Sequence, residues 1–122
     1  MYYFNSKNYD NAIGDFNELL KRQPDHVSAR LHRGLSNFHL EEYQYALADF
    51  SATLHYDPSN WISYYYRGLL LRTCNPAQAL RDFSISLLLN SEYDNVGAYL
   101  HRALLYCTQN QFEEAIADYE AV

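Results

Sequence analysis

Apolar residues fall along this chain in steps of four, three and one, the spacing that gathers side chains on one face of an α-helix. Ala12, Phe16, Leu19 and Leu20 follow it, as do Ala46, Phe50, Thr53 and Leu54, then Ala79, Phe83, Ser86 and Leu87. A half-buried strand would instead alternate. Between these stripes lie ARLHRGLSNFHL, YYYRGLLLRTCN and AYLHRALLYCTQ, which read as helices apolar on several sides. The pattern therefore predicts pairs of antiparallel helices. Asp25 and Ser59-Asn60 are expected to cap helix N-termini, and Asn75 gives a cap followed by Pro76 in the first turn.

The pairs recur at a fixed period. Gly34, Gly68 and Ala103 are spaced by 34 and 35 residues, Ala12, Ala46, Ala79 and Ala115 by 34, 33 and 36, and Pro24 and Pro58 by 34. Such a period marks stacked supersecondary units that bury a core between neighbours. A glycine inside a helix costs about 1 kcal/mol relative to alanine, so a recurring one predicts a close approach. Gly34 and Gly68 are expected to face Ala46 and Ala79, with Phe50 and Phe83 filling the adjoining space.

These residues resemble the tetratricopeptide repeat, whose pattern is W-x2-L-G-x2-Y, then A-x3-F, then P. Gly34, Tyr43, Ala46, Phe50, Leu54 and Pro58 match in one copy. Gly68, Ala79, Phe83 and Leu87 match in the next, with Tyr64 for the Trp. Tyr99, Tyr106, Phe112, Ala115 and Tyr119 match in the last, with Ala103 for the Gly, and Tyr3, Tyr9, Ala12, Phe16 and Pro24 in the first. The resemblance implies an all-α fold, a right-handed superhelical solenoid of antiparallel helix pairs. It implies one array over 1–122: a partial repeat 1–25, repeats 26–59 and 60–93, and an incomplete repeat 94–122.

Departures from the pattern carry information. Arg33, Arg67 and Arg102 stand where the pattern has Leu, and Asp15, Asp49, Asp82 and Asp118 recur in step in the second helices. A charge beside a core needs a partner, so Arg–Asp bridges within or between repeats are expected. The turn TCNPAQ is one residue short, and the exit NSEYDN is longer and lacks the proline, which predicts either a changed angle between neighbouring hairpins or an interaction loop at the exit. The ends, MYYF and YEAV, fall inside helices without a polar cap. That leads to the expectation of a fragment of a longer array, or of self-association through uncapped ends.

Composition narrows the function. No apolar run approaches the ~20 residues that cross a bilayer, so no membrane partner is expected. The net charge of −6 and scattered basic residues argue against nucleic acid, including the RNA-reading pentatricopeptide arrays of similar period. Two cysteines, Cys74 and Cys107, make no disulfide framework and fit a cytoplasmic location. His26, His32, His39, His55 and His101 lack metal-ligand spacing, no Gly-rich phosphate loop occurs, and Cys107 and His101 point apart on a helix. No cofactor, metal or catalytic centre is expected.

By resemblance, first helices line a groove that binds an extended peptide or a partner helix. That face comprises Ser28, Leu31, Leu35, Phe38 and His39, then Ile62, Tyr65, Leu69, Arg72 and Thr73, then Gly97, Leu100, Leu104, Cys107 and Thr108. The expected contacts are Leu31, Leu35, Phe38, Ile62, Tyr65, Leu69, Arg72, Leu100 and Leu104. Mostly apolar, they suit an apolar or amphipathic protein segment, with Arg72 meeting an acidic residue. The alternative is packing of these side chains against neighbouring helices, as in a structural spacer of a longer protein. A third reading is a co-chaperone adaptor, but the clamp places that hold a chaperone carboxylate are Leu31, Leu35, Tyr66, Gly97 and His101 here, and only His101 could be cationic.

Overall fold

The computed structural model describes residues 6–90 and 95–122, with side chains described from Asn8 onward. Tyr3, the rest of MYYF, and residues 91–94 of the NSEYDN exit lie outside the described residues. Among the described residues there are seven helices and no strand. They are α1 (Ser6–Arg22), α2 (Val27–His39), α3 (Tyr43–Tyr56), α4 (Trp61–Leu71), α5 (Pro76–Leu89), α6 (Val96–Thr108) and α7 (Phe112–Glu120). The expected helix pairs are the hairpins α2–α3, α4–α5 and α6–α7.

The chain forms two compact units, Met1–Pro58 and Ser59–Val122. In the first, α1 and α3 pack against α2. Its buried apolar residues are Leu20, Ala29, Leu31, Ala46, Phe50 and Leu54. In the second, α5 packs on both α4 and α6, and α6 on α7. Ala79, Phe83, Ala98 and Leu105 make its core cluster, with Tyr65, Leu69, Leu71, Leu80 and Leu87 packed against it. Burial of a side chain the size of Phe83 contributes about 1.5–3 kcal/mol.

Local signals set the boundaries. Asn60 Oδ1 accepts a hydrogen bond from the Ser63 amide at 3.0 Å and Asn75 Oδ1 one from the Gln78 amide at 3.3 Å, as the cap residues predict. At α2 the cap is His26, one residue beyond the expected Asp25: its Nδ1 accepts from the Ala29 amide at 3.0 Å. The short turn TCNPAQ also acquires a physical meaning. Glu41 and Asn110, in the turns of the hairpins on either side, have φ of 61° and 59°. The α4–α5 turn, one residue shorter, holds no left-handed residue.

The glycine expectation holds with one correction. A Cβ on Gly34 would sit 3.0 Å from Phe50 Cε1, and one on Gly68 would sit 2.9 Å from Phe83 Cε1. The glycines thus clear space for the phenyl rings themselves, not chiefly for Ala46 and Ala79. In the α6–α7 hairpin the slot holds Ala103, fully buried, and its Phe counterpart is Tyr119, 41% exposed.

Candidate functional site

The recurring Arg and Asp residues meet inside each hairpin. Arg33 Nε and Nη2 donate to the two carboxylate oxygens of Asp49 at 3.0 and 2.7 Å. Arg67 does the same to Asp82 at 2.8 and 2.9 Å, and Arg102 to Asp118 at 2.8 and 2.7 Å. The aspartates are buried and the arginines about four-fifths buried. Such fork-on-carboxylate geometry is the strong form of the ion pair. The Asp hydrogen bonds hold Arg67 and Arg102 more firmly charged than an ordinary guanidinium, against the pull of burial. Asp15, the first of the series, is exposed on α1. Asn17, two residues on, accepts from Arg33 Nη1 at 2.9 Å, and Ser84 accepts from Arg102 Nη1 at 3.0 Å in the equivalent slot. These arginines are therefore structural bolts, with little freedom to serve a ligand.

The residues expected to contact a partner divide by environment. Leu31 is buried, and Leu35, Phe38 and Ile62 are half-buried. Tyr65 and Leu69 pack against the core cluster of the second unit. Tyr65 lies so near α6 that a Cβ on Gly97 would stand 2.6 Å from its hydroxyl. Arg72, Leu100 and Leu104 are exposed, the two leucines to 37% and 52%.

Arg72 has a partner across the second unit. Its Nη1 donates to His101 Nδ1 at 3.1 Å. The imidazole stacks on Phe83, centroids 5.9 Å apart and planes at 13°, and lies beside Tyr65. Burial, then the Arg72 charge, hold His101 below its ordinary pKa, so the ring is a neutral acceptor. Burial pushes the Tyr66 hydroxyl up.

Two features go beyond the expected contacts, the first by adding Phe112, Ile116 and Tyr119 to Leu100 and Leu104. On α6 and α7, Leu100, Leu104, Phe112, Ile116 and Tyr119 are all exposed. In the first unit an open cavity of about 530 Å³ is lined by Gly14, Asn17, Glu18, Lys21, Arg30 and Arg33, with Leu20 beneath. A second, of about 390 Å³, shares Asn17 and Arg33 and adds Ile13, Asn37, Tyr45, Ala48 and Asp49. Among the described residues no group of three His, Cys, Asp or Glu side chains could hold a metal, and no helix is long and apolar enough to cross a membrane.

Comparison with known proteins fits this architecture. The family model described as Tetratricopeptide repeat matches residues 1–54 and 69–122. No curated protein sequence matches. A crystal structure of MamA superposes with a TM-score of 0.83 at 23% identity, covering 93% of this chain and 66% of that one. MamA 41-end from Desulfovibrio magneticus RS-1 gives 0.79 at 19% identity, covering 94% and 64%. The second TPR of Spaghetti (RPAP3), bound to the HSP90 peptide SRMEEVD, gives 0.69 at 20% identity, covering 82% and 93%. The chain spans 61% to 66% of the length of the first MamA chains it matches. At these identities the likeness is one of fold.

Proposed function

Because the chain belongs to the tetratricopeptide repeat family, we propose that it is a non-catalytic protein-interaction adaptor that takes an apolar or amphipathic segment of a partner. The supporting observation is a register between two hairpins of the second unit. Tyr65, Leu69, Leu80 and Phe83 lie on the side of α4–α5 that α6 covers. Leu100, Leu104, Ile116 and Tyr119 occupy the same repeat slots in α6–α7 and are 37%, 52%, 56% and 41% exposed. A surface built on the plan of one that receives a helix is suited to receive another. Contiguous exposed apolar side chains of this kind mark interaction sites.

On this reading Leu100 and Leu104 are the principal contacts, and Arg72 offers a cation at the exposed end of α4. Within the same unit Ile62 contributes an apolar edge, while Tyr65 and Leu69 hold helices together; in the first unit Leu31 is buried, and Leu35 and Phe38 are half-buried apolar positions. The unpaired thiols of Cys74 and Cys107 suit a cytoplasmic location. The HSP90 peptide is a ligand of the Spaghetti (RPAP3) domain; here Gly97 and a neutral His101 offer no clamp of that kind. The same register also suits a spacer, in which the next hairpin of a longer protein covers α6–α7.

The test uses a synthetic helical peptide that copies Val96–Thr108, the helix that covers the equivalent surface. Binding in trans, measured by fluorescence anisotropy, is expected for the intact chain and lost in Leu100→Asp plus Leu104→Asp with helicity retained. Equal binding by both chains, or none by either, overturns the adaptor reading at this surface.

A further inference from the structure

Gly14 is the one glycine of this chain whose presence the packing leaves unexplained. Substituting a Cβ at Gly34, Gly68 or Gly97 would bring it within 3.0 Å of a neighbouring ring atom or hydroxyl, whereas among the described residues nothing beyond the adjacent residues and backbone of α1 itself lies within 4 Å of the Cβ position at Gly14. It sits in the middle of α1, half a turn away from the stripe of Ala12, Phe16, Leu19 and Leu20 that packs inward. A glycine there weakens the helix relative to alanine. Glycine is otherwise favoured where something must come close to the backbone.

What lies over Gly14 is the larger cavity of the first unit. The exposed Ala48, at the same repeat slot one period on in α3, lines the adjoining cavity, so both outer walls are low. Asn17 and Arg33 line both, so the two cavities adjoin along an α1–α2–α3 groove. Its ends differ. Ile13 and the exposed ring of Tyr45 make one end apolar. Between the ends Arg33 is neutralised by Asp49, and at the other end Lys21 pairs with Glu18 at 3.2 Å. That leaves Arg30. Among the described residues it has no carboxylate partner: its Nη2 donates to the Pro24 carbonyl, its guanidinium lies over the Tyr56 ring, and its Nε–H is buried without an acceptor.

We infer that this α1–α2–α3 groove is a second binding site, for an extended segment of a partner protein bearing a carboxylate beside an apolar side chain. The carboxylate sits at Arg30, the apolar side chain enters between Ile13 and Tyr45, and the segment's backbone crosses Gly14. Charge complementarity at Arg30 selects the acidic residue, because a guanidinium without a counter-charge, its Nε–H buried without an acceptor, gains from a carboxylate.

A random-peptide phage library is panned against the intact chain, with counter-selection on the Gly14→Trp chain, whose indole fills the groove from an exposed position. Ala48→Trp closes it from the other wall and serves if Gly14→Trp alters the circular dichroism. Peptides surviving counter-selection are expected to carry Asp or Glu next to an apolar residue. Each should lose at least about ten-fold in affinity against either Trp variant, and also when its acidic residue becomes the amide, consistent with an ion pair worth one or more decades. Binding unaffected by both Trp variants, or peptides without an acidic residue, overturns the site, as does a failure to select any groove-dependent peptide. Leu100→Asp plus Leu104→Asp must leave this binding intact, which separates it from the α6–α7 surface.

Discussion

Arg67 closes two hydrogen bonds on the carboxylate of Asp82, which lies fully buried on the next helix. The aspartate also accepts from Gln78 Nε2 at 2.9 Å, so both oxygens are occupied. Breaking this arrangement from one side strands a charge. Asp82→Ala is expected to destabilise the chain by about 3–5 kcal/mol, whereas Arg67→Met with Asp82→Leu should be near neutral. Urea denaturation followed by circular dichroism measures both. Equal losses in the single and the double variant would contradict the pairing.

The ring of Phe83 sets the size of residue 68. Gly68→Leu is expected to cost about 1–3 kcal/mol or more through overpacking, because even a Cβ would stand 2.9 Å from the ring. Phe83→Leu introduced into that background should recover part of the loss. A melting temperature that Gly68→Leu leaves unchanged would refute the contact.

At Gly14 the sign reverses. With its Cβ position open, Gly14→Ala should stabilise the chain by about 0.5–1 kcal/mol, the helix-propensity difference. Thermal melts of the two chains decide this. A lower melting temperature for the alanine variant would show that the position packs against something.

Acid should loosen the second unit. His101 is held below its ordinary value of 6.5 by burial and by Arg72, so the unfolded chain takes up its proton first. The stability contributed by the neutral ring is complete above 6.5 and drains away as pH falls below that value. Comparing the pH dependence of denaturation midpoints with that of His101→Phe isolates the effect. The variant should lose less stability on acidification than the parent chain. Parallel curves would rule out this role.

The helices and their pairing were legible because the inward stripe and the small residue recur together. The Arg–Asp series was legible for the same reason: a misfit that repeats in step has a partner that repeats in step. Within-hairpin pairing was not, since spacing alone allowed Asp15 to serve Arg33, a place that Asn17 takes. The expected contact face was only partly informative. Tyr65 and Leu69 occupy the side that the following first helix covers, so the slot that exposes Leu100 and Leu104 encloses them. The α1–α2–α3 groove was hidden from pattern reading because missing atoms create it. Its one trace in the letters is Gly14, a helix-interior glycine outside the repeat signature.

The Arg–Asp bolts have an evolutionary corollary. Each joins the two halves of a single hairpin, Arg33 to Asp49, Arg67 to Asp82 and Arg102 to Asp118. A duplication that copies one such segment copies cation and anion together, so the inserted module arrives electrically complete. Lengthening or shortening the protein by whole modules leaves no orphaned ion behind.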